Sequence, residues 1–328
     1  MKSILVSIVI PVKNERGNVE QLIMSIYGQT YRPIEVVVVD GGSTDGTLEA
    51  LQELKAKLKG AGFAIKVLKE EDFGSLRSPA NARNIGVLNS SGEVIVFFDA
   101  DFDLSGDPEA IEKIVAGLGE GEHVAITYAP NGHTWVERHL ALDDIVYYFR
   151  GGRPLHVVCC FRRSVFSRAL FDASLGFGED LEFLARAKTM WRVVGTGVRR
   201  CYPHTLGQLM KQQLWYGRTA LRYFRKVGAM RWPIDVARSN AVLGIVALDV
   251  IVSAASMNVL LTLAVTALLL AFVAHRWLRR DVVVLGGKPR LILERLAWTL
   301  LRETYGRLWF DIGLLLGLAR SSHRDLGR

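Results

Sequence analysis

Cysteine is almost missing from this chain. Three in 328 residues, two of them the neighbours Cys159 and Cys160, cannot build a disulfide framework and lack zinc-site spacing. They point to a reducing compartment. Neither G-x-G-x-x-G nor G-x-x-x-x-G-K-[ST] occurs, which argues against a dinucleotide dehydrogenase and a P-loop ATPase. No G-x-S-x-G turn presents a nucleophilic serine, and His123, His133, His139, His156 and His204 show no H-E-x-x-H spacing. Charge is also sparse, at 23% of residues, while half the chain is apolar and mean hydropathy is +0.20. That balance excludes intrinsic disorder and leaves ample material for a core.

The 36.5 kDa mass allows two units, or one larger unit with an appendage. The net charge of +8 is concentrated. Between Ala185 and Asn240 stand twelve Lys/Arg against one acid, Asp235, a local +11 that leaves the rest of the chain at −3. A solvated face or a nucleic-acid groove would each suit such a window. The next segment argues against both. Residues 241–274 hold a single charge, Asp249, and exceed the roughly 20 residues of one membrane crossing. They fit one long tilted helix or a hairpin of two short ones turning near Ala254–Asn258. Arginines on both flanks (Arg231 and Arg238 before, Arg276, Arg279 and Arg280 after) favour the hairpin, because both ends then lie on the cytoplasmic face. The apolar start Ile4–Ile10 is too short for a signal peptide and is expected to belong to the fold.

The front half alternates strand and helix patterns. Ile4–Ile10, Ile34–Val39, Ala64–Leu68, Val94–Phe98 and Val124–Thr127 read as strands, the first two continuous enough to be buried on both faces. Asn18 is expected to cap a helix lined by Leu22, Ile23 and Ile26. Ser43 or Thr44 is expected to cap another, lined by Leu48, Leu51, Leu54 and Leu58, and Ala80–Leu88 reads as a third. Strands separated by helices imply βαβ crossovers, a mainly parallel sheet, and ligands bound beyond the strands' carboxyl ends.

Three polar clusters fall at such ends: Pro11–Asn14, Asp40–Asp45 and Asp99–Asp103. Asp99 and Asp101 point the same way along an extended segment, so both can approach one hard divalent cation; a capped acidic turn has the same sequence. Asp103 is a further oxygen donor or a cap. Asp40, directly after four valines, suits a base or ribose contact, and Asp45 a structural turn. Glu179 and Asp180 open a helix, where acids cap as readily as they catalyse. Arg77, Arg83, Arg162 and Arg163 are candidate phosphate clamps or ordinary surface cations. Lys211-Gln212-Gln213-Leu214-Trp215 continues to Arg218, Tyr223 and Phe224, an amphipathic basic and aromatic stretch suited to a membrane interface or to helix packing. Leu308–Ala319, in a tail repeatedly interrupted by arginines, is a candidate to dip into the bilayer.

In this order the segments resemble the inverting GT-A glycosyltransferases of family 2, over about residues 4–226. SIVIPVKNE is similar to that family's opening strand and loop, which brings in Pro11, Asn14 and Glu15. VVVVDGGSTDGT resembles its nucleoside-binding turn, with Gly41 where many members carry a second acid. ARNIG (Ala82–Gly86) matches its phosphate-side helix, and Asp99-Ala100-Asp101 its metal-binding motif. FDASLGFGED carries its catalytic base at Asp180. The resemblance extends to the membrane-bound branch of dolichyl-phosphate mannose synthase and cellulose synthase. Against the latter's Q-x-x-R-W, Trp215 fits, Lys211 takes the glutamine's place and Leu214 the arginine's, which speaks against processive polymer synthesis.

The resemblance therefore implies a GT-A α/β nucleotide-sugar-binding domain over 1–198, basic interfacial helices over 199–238, a transmembrane hairpin over 239–275 and an amphipathic tail over 276–328. It implies transfer of mannose from GDP-mannose, with Mg²⁺ or Mn²⁺ on Asp101 and Asp99, to a dolichyl- or polyprenyl-linked saccharide at the cytoplasmic face of the membrane. Asp180 acts as base. Asp40, Arg83 and Glu179 hold the donor, and Lys211, Gln212, Gln213, Trp215 and Arg218 the acceptor. No nucleic acid is expected as partner. Free lipid phosphate as acceptor, and a non-catalytic glycan- or sugar-nucleotide-binding module, are the rival readings.

Overall fold

A computed structural model describes residues 4–58, 60, 62–130, 132–149, 156–228, 240, 244, 249, 251, 259–278 and 289–319. The chain divides into two compact units, one drawn from Met1–Gly132 and Arg153–Tyr202, the other from His133–Gly152 and Pro203–Arg320.

The first unit holds strands β1 (Val6–Val12), β2 (Ile34–Asp40), β3 (Phe63–Lys69), β4 (Val94–Phe97), β5 (Phe102–Asp103), β6 (His123–Pro130), β7 (His156–Arg162) and β8 (Trp191–Arg200). They form one sheet in the order β3-β2-β1-β4-β7-β6-β8-β5. Pairs β1–β2, β2–β3, β1–β4 and β6–β8 are parallel, while β4–β7, β6–β7 and β5–β8 are antiparallel. The expected mainly parallel sheet is thus mixed. Its antiparallel members lacked the valine-rich signature, β5 being two residues long and β8 carrying two glycines and three arginines. Helices α1 (Arg16–Tyr27), α2 (Thr47–Lys57), α3 (Pro79–Leu88), α4 (Ala110–Leu118) and α6 (Glu179–Ala187) belong to this unit.

Chain order runs outward from β1 through β2 to β3, then returns to β4 on the other side of β1. The β1–β4 boundary is therefore the switch point at which an open sheet parts its loops to receive a ligand. Val6, Ile8, Val9, Ile10 and Val36–Val39 are fully buried, as uninterrupted apolar strands covered on both faces must be. α3 lies close against β1 because residue 86 is glycine: a Cβ there would come within 2.3 Å of Val9 Cγ1.

Two expected helix caps are corrected. α1 starts before Asn18, whose Nδ2 instead donates to Glu15 Oε2 (2.7 Å). Its first amides are taken up from the next loop, Glu15 N by Thr47 Oγ1 (3.1 Å) and Arg16 N by Asp45 Oδ2 (3.3 Å). α2 follows Gly46 at φ 87°, and Asp45, not Ser43 or Thr44, accepts from the Thr47 amide (3.1 Å). Asp45 is structural, as expected.

The second unit is helical: α5 (Trp135–Phe149), α7 (Leu206–Lys226) and helices Val259–Leu278, Pro289–Leu301 and Arg307–Ala319, the last two joined by a wider π-turn over Arg302–Gly306. α7 opens on a reciprocal cap between Thr205 and Gln208. Arg307–Ala319 packs on α7 through glycine. A Cβ on Gly217 would fall 1.9 Å from Phe310 O, one on Gly313 2.3 Å from Leu214 O, and one on Gly317 2.5 Å from Arg218 O. α5 is tied to Pro289–Leu301 by buried Arg295, which donates to Asp143 Oδ1 (2.6 Å) and His139 O (3.0 Å), and by Trp298 Nε1 on Asp143 Oδ2 (2.8 Å). Val136, Leu209 and Trp298 close an apolar cluster around it.

The transmembrane hairpin expected at 239–275 is not supported. Among the described residues no helix is long and apolar enough to cross a membrane. The helix from Val259 does not stop at 275 but carries His275 and Arg276 in its last turns, and its Thr266 donates to Asp249 Oδ2 (2.8 Å). Most of the expected first arm and the turn at 254–258 lie outside the described residues.

Candidate active site

The carboxyl ends of β4, β1, β2 and β3 lie side by side, and the polar clusters lie there. Leaving β1, Asn14 adopts φ 55° and ties two loops together: its amide donates to Ser43 Oγ (2.8 Å) and its Oδ1 accepts from Thr44 N (2.8 Å). Pro11, next to last in β1, lies opposite Val39 without an amide to place. Asp40 is buried and turns its carboxylate on its own loop, Oδ2 accepting from the amides of Gly42 (3.0 Å) and Ser43 (3.1 Å) and Oδ1 from the Ser43 hydroxyl. That pattern fixes the DGGSTDG turn rigidly. Gly42, at φ 86°, makes room for the Arg77 guanidinium, which would stand 2.7 Å from a Cβ there.

α3 organises the other side. Arg83, buried, donates through Nη2 to Asp99 Oδ1 (2.7 Å) and through Nη1 to Glu179 Oε1 (2.8 Å), its guanidinium over the Phe171 ring. Burial disfavours its charge, but Asp99 and Glu179 more than offset this and hold the proton. Burial also pushes the Glu179 carboxyl up to about 7; neighbouring Asp180 adds to the rise and Arg83 opposes it. Asn84 holds the segment before α6, exchanging hydrogen bonds with the Phe171 backbone at 2.8 and 2.9 Å, and Ser78 Oγ donates to Ala173 O (2.7 Å). Phe183 of α6 stacks on Phe171 with centroids 4.2 Å apart. The start of α6, with half-buried Asp180, is thereby fixed beside the end of β4.

Asp101 accepts from Arg200 Nε through Oδ2 (3.2 Å), while its buried Oδ1 has no hydrogen-bond partner. Arg200 is itself held among Phe102, Tyr128 and Tyr202, each ring centroid within 6.0 Å. An unsatisfied anionic oxygen in a half-buried site costs about 1–3 kcal/mol, which a cation would relieve. Among the described residues no three His, Cys, Asp or Glu side chains gather as a complete cage. Asp99 and Asp101 stand on a tight turn closed by Phe102 N on Asp99 O (3.2 Å), not on the extended segment expected; two carboxylates completed by phosphate oxygens and water suit Mg²⁺ or Mn²⁺. The residues fit the ion.

Of the expected site residues, Pro11, Asn14, Asp40, Arg83, Asp99, Asp101, Glu179 and Asp180 come to this one sheet edge, with Glu15 in the β1 loop. Arg83 is an internal strut between carboxylates, not a free phosphate clamp. Arg162 and Arg163 lie at the opposite end of β4: Arg162 donates to Gly121 O (2.8 Å) and Arg163 to Val87 O (3.0 Å). Asp103 caps its own turn at the Ser105 amide (2.9 Å). Lys211, Gln212, Gln213, Trp215 and Arg218 lie on α7 in the second unit, Lys211 and Arg218 exposed. Two residues escaped the sequence reading. Arg200 was submerged in a basic run, and Glu70 stands in an acidic run, Glu70-Glu71-Asp72, with no motif to single it out. Glu70 is buried just after β3, its Oε1 accepting from Ser78 N (3.0 Å) and Asn81 Nδ2 (2.7 Å).

Residues 7–174 match the sequence profile described as glycosyl transferase family 2. Among curated proteins, the chain is similar to Glycosyltransferase AglE of Haloferax volcanii, 35% identical over 142 residues, 41% of this chain and 43% of that protein. It is also similar to a dolichol-phosphate mannosyltransferase of Pyrococcus furiosus, 37% identical over 125 residues, 37% of this chain and 32% of that one. The matches thus span less than half the length of these relatives. Among solved structures, mannosyltransferase PcManGT from Pyrobaculum calidifontis, in complex with GDP-Man and Mn²⁺, aligns over 98% of this chain and 89% of its own at a TM-score of 0.56 and 18% identity, a likeness of GT-A fold.

Proposed function

Because this chain belongs to glycosyl transferase family 2, we propose that it transfers a sugar from a nucleoside-diphosphate donor to a lipid-linked acceptor. The observation that carries the reading is the Arg83 bridge. It joins the end of β4 to the start of α6 through Asp99 at 2.7 Å and Glu179 at 2.8 Å, which supports Asp101 and Asp180, their neighbours in sequence, acting at one site. The donor is GDP-mannose, supported by the names of the Pyrococcus and Pyrobaculum proteins. The Asp40 turn receives the nucleoside, and Asp101 with Asp99 would hold Mg²⁺ or Mn²⁺. Such an ion, when bound, supplies charge that stabilises a departing diphosphate.

Asp180 takes the proton of an acceptor hydroxyl as that oxygen attacks the anomeric carbon from the face opposite the leaving group, so configuration inverts. Arg83 holds Asp99 and Glu179 in place, and Arg200 aims Asp101. On α7 the exposed cations Lys211 and Arg218, with Gln212, Gln213 and Trp215, engage the anionic head of the lipid substrate. The exposed leucines Leu308, Leu315, Leu316 and Leu318 support attachment at the cytoplasmic face of a membrane.

Free dolichyl phosphate as acceptor is favoured by the name of the Pyrococcus relative. Phosphate is already deprotonated and needs no base, so one variant separates the readings. With GDP-mannose and Mn²⁺, Asp180→Asn is expected to lower transfer to a dolichyl-linked saccharide by about 10²–10⁴-fold while leaving donor affinity unchanged. Undiminished turnover onto the saccharide would overturn the assignment, and transfer only onto dolichyl phosphate, indifferent to the substitution, would establish the second reading.

A further inference from the structure

The four strands β4, β1, β2 and β3 are mutually parallel, so their carboxyl ends form one row. Along it stand Asp99 and Asp101, then Pro11–Asn14, then Asp40, then Glu70. Three strand spacings of about 4.8 Å give the row a length near 14 Å, the reach of an extended nucleoside diphosphate. With the diphosphate at the Asp99–Asp101 end and the ribose near Asp40, the far edge of the base arrives at Glu70.

Glu70 is a buried acid 2% exposed, and its two oxygens are not equivalent. Oε1 is filled by two donors, Ser78 N and Asn81 Nδ2. Oε2 lies along the Asp40 turn, 3.3 Å from where a Cβ of residue 41 would stand, a close approach that glycine leaves unhindered. A carboxylate oxygen only accepts. Guanine offers an amino group and a ring N–H on one edge, both donors, whereas uracil flanks its single N–H with two carbonyls that a carboxylate repels.

We propose that Glu70 reads the base of the donor and selects guanine, Oε2 accepting from the purine's amino and ring N–H groups. The proposal rests on the nucleoside-diphosphate reading above and names the determinant within it. The locked Oε1 makes a reversal testable. In Glu70→Gln the amide oxygen must take the Oε1 position, because two donors already face it. The NH₂ then replaces Oε2, and an acceptor of guanine's donors becomes a donor suited to a uracil carbonyl.

The test is calorimetric titration of the full chain in detergent with GDP, IDP and UDP, each in the presence of Mn²⁺. For the natural sequence, affinities should fall in the order GDP, IDP, UDP, with GDP over UDP by roughly tenfold or more. IDP should lie between, because hypoxanthine lacks the amino group. Glu70→Gln should erase the GDP–IDP gap and improve UDP binding. Natural protein that binds UDP as well as GDP, or a Glu70→Gln protein that keeps the GDP–IDP gap, overturns the assignment while leaving the transferase reading intact. The first measurement needs no variant. Binding of none of the three nucleotides removes both readings together.

Discussion

Replacing Arg83 by Met removes one guanidinium and keeps most of its stem. The side chain is 8% exposed and neutralises two carboxylates of different burial, Glu179 at 12% and Asp99 at 34%. The Asp99 contact lies near enough to solvent to count for about 1 kcal/mol or less. Glu179 is the larger loss, because a buried carboxylate left without its cation costs about 2–3 kcal/mol. The sum, about 2–4 kcal/mol, overlaps the range for breaking a buried pair from one side.

The loss must depend on pH. Glu179 titrates at about 7 in the folded protein against an ordinary 4.5, so the native state keeps a proton that the unfolded chain releases between those values. Its contribution to stability is complete below pH 4.5 and declines as pH rises through 7. Without Arg83, which pulls the carboxyl down, the native value moves further up and the decline continues above 7. Native-state hydrogen exchange at β4 and α6 amides, corrected for intrinsic rates, should give a deficit of about 2–4 kcal/mol at pH 8 that shrinks to about 1 kcal/mol at pH 5. Glu179→Gln in the same background should remove the pH dependence. A deficit under about 1 kcal/mol at pH 8, or one equal at both pH values, would refute the view of Arg83 as the brace between β4 and α6.

Gly217→Ala forces a methyl into the Phe310 carbonyl and should destabilise the second unit by about 1–3 kcal/mol, read as faster proteolysis within Arg307–Ala319. Gly207→Ala on the same helix, with only Thr205 Oγ1 at 3.8 Å, should be neutral or slightly stabilising. Glu137 is buried, which would raise its carboxyl, but the Thr134 and His133 amides outweigh this and hold it below the usual range. Glu137→Gln should therefore weaken exchange protection in α5 by about 1–2 kcal/mol at pH 7. That gap should close as pH falls through the depressed native value.

The strands that bury both faces were readable from their composition, as were the acids at their ends. Val36–Val39 and Val94–Phe97 have one way to satisfy so much apolar surface. What escaped depends on partners distant in sequence. β7 and β8 owe their places to pairing, and the caps of α1 come from a loop some thirty residues on. Arg83 read as a phosphate ligand because its sequence shows a cation near the ligand edge and nothing of the two carboxylates that occupy it. Glu70 differs from Glu71 only in which way the short turn after β3 points it. The apolar stretch from 241 announced its hydropathy plainly, but length and composition left its path open.

Strands β6 and β7 are sheet neighbours in the first unit, yet the chain between them leaves to supply α5 to the second. The catalytic half therefore cannot be obtained by cutting after Tyr202. Such a truncation would keep α5 and discard Arg295, Trp298 and Leu209, stranding Asp143 and an uncovered apolar stripe. Excision would instead require joining β6 directly to β7, its antiparallel neighbour, in place of the segment that carries α5.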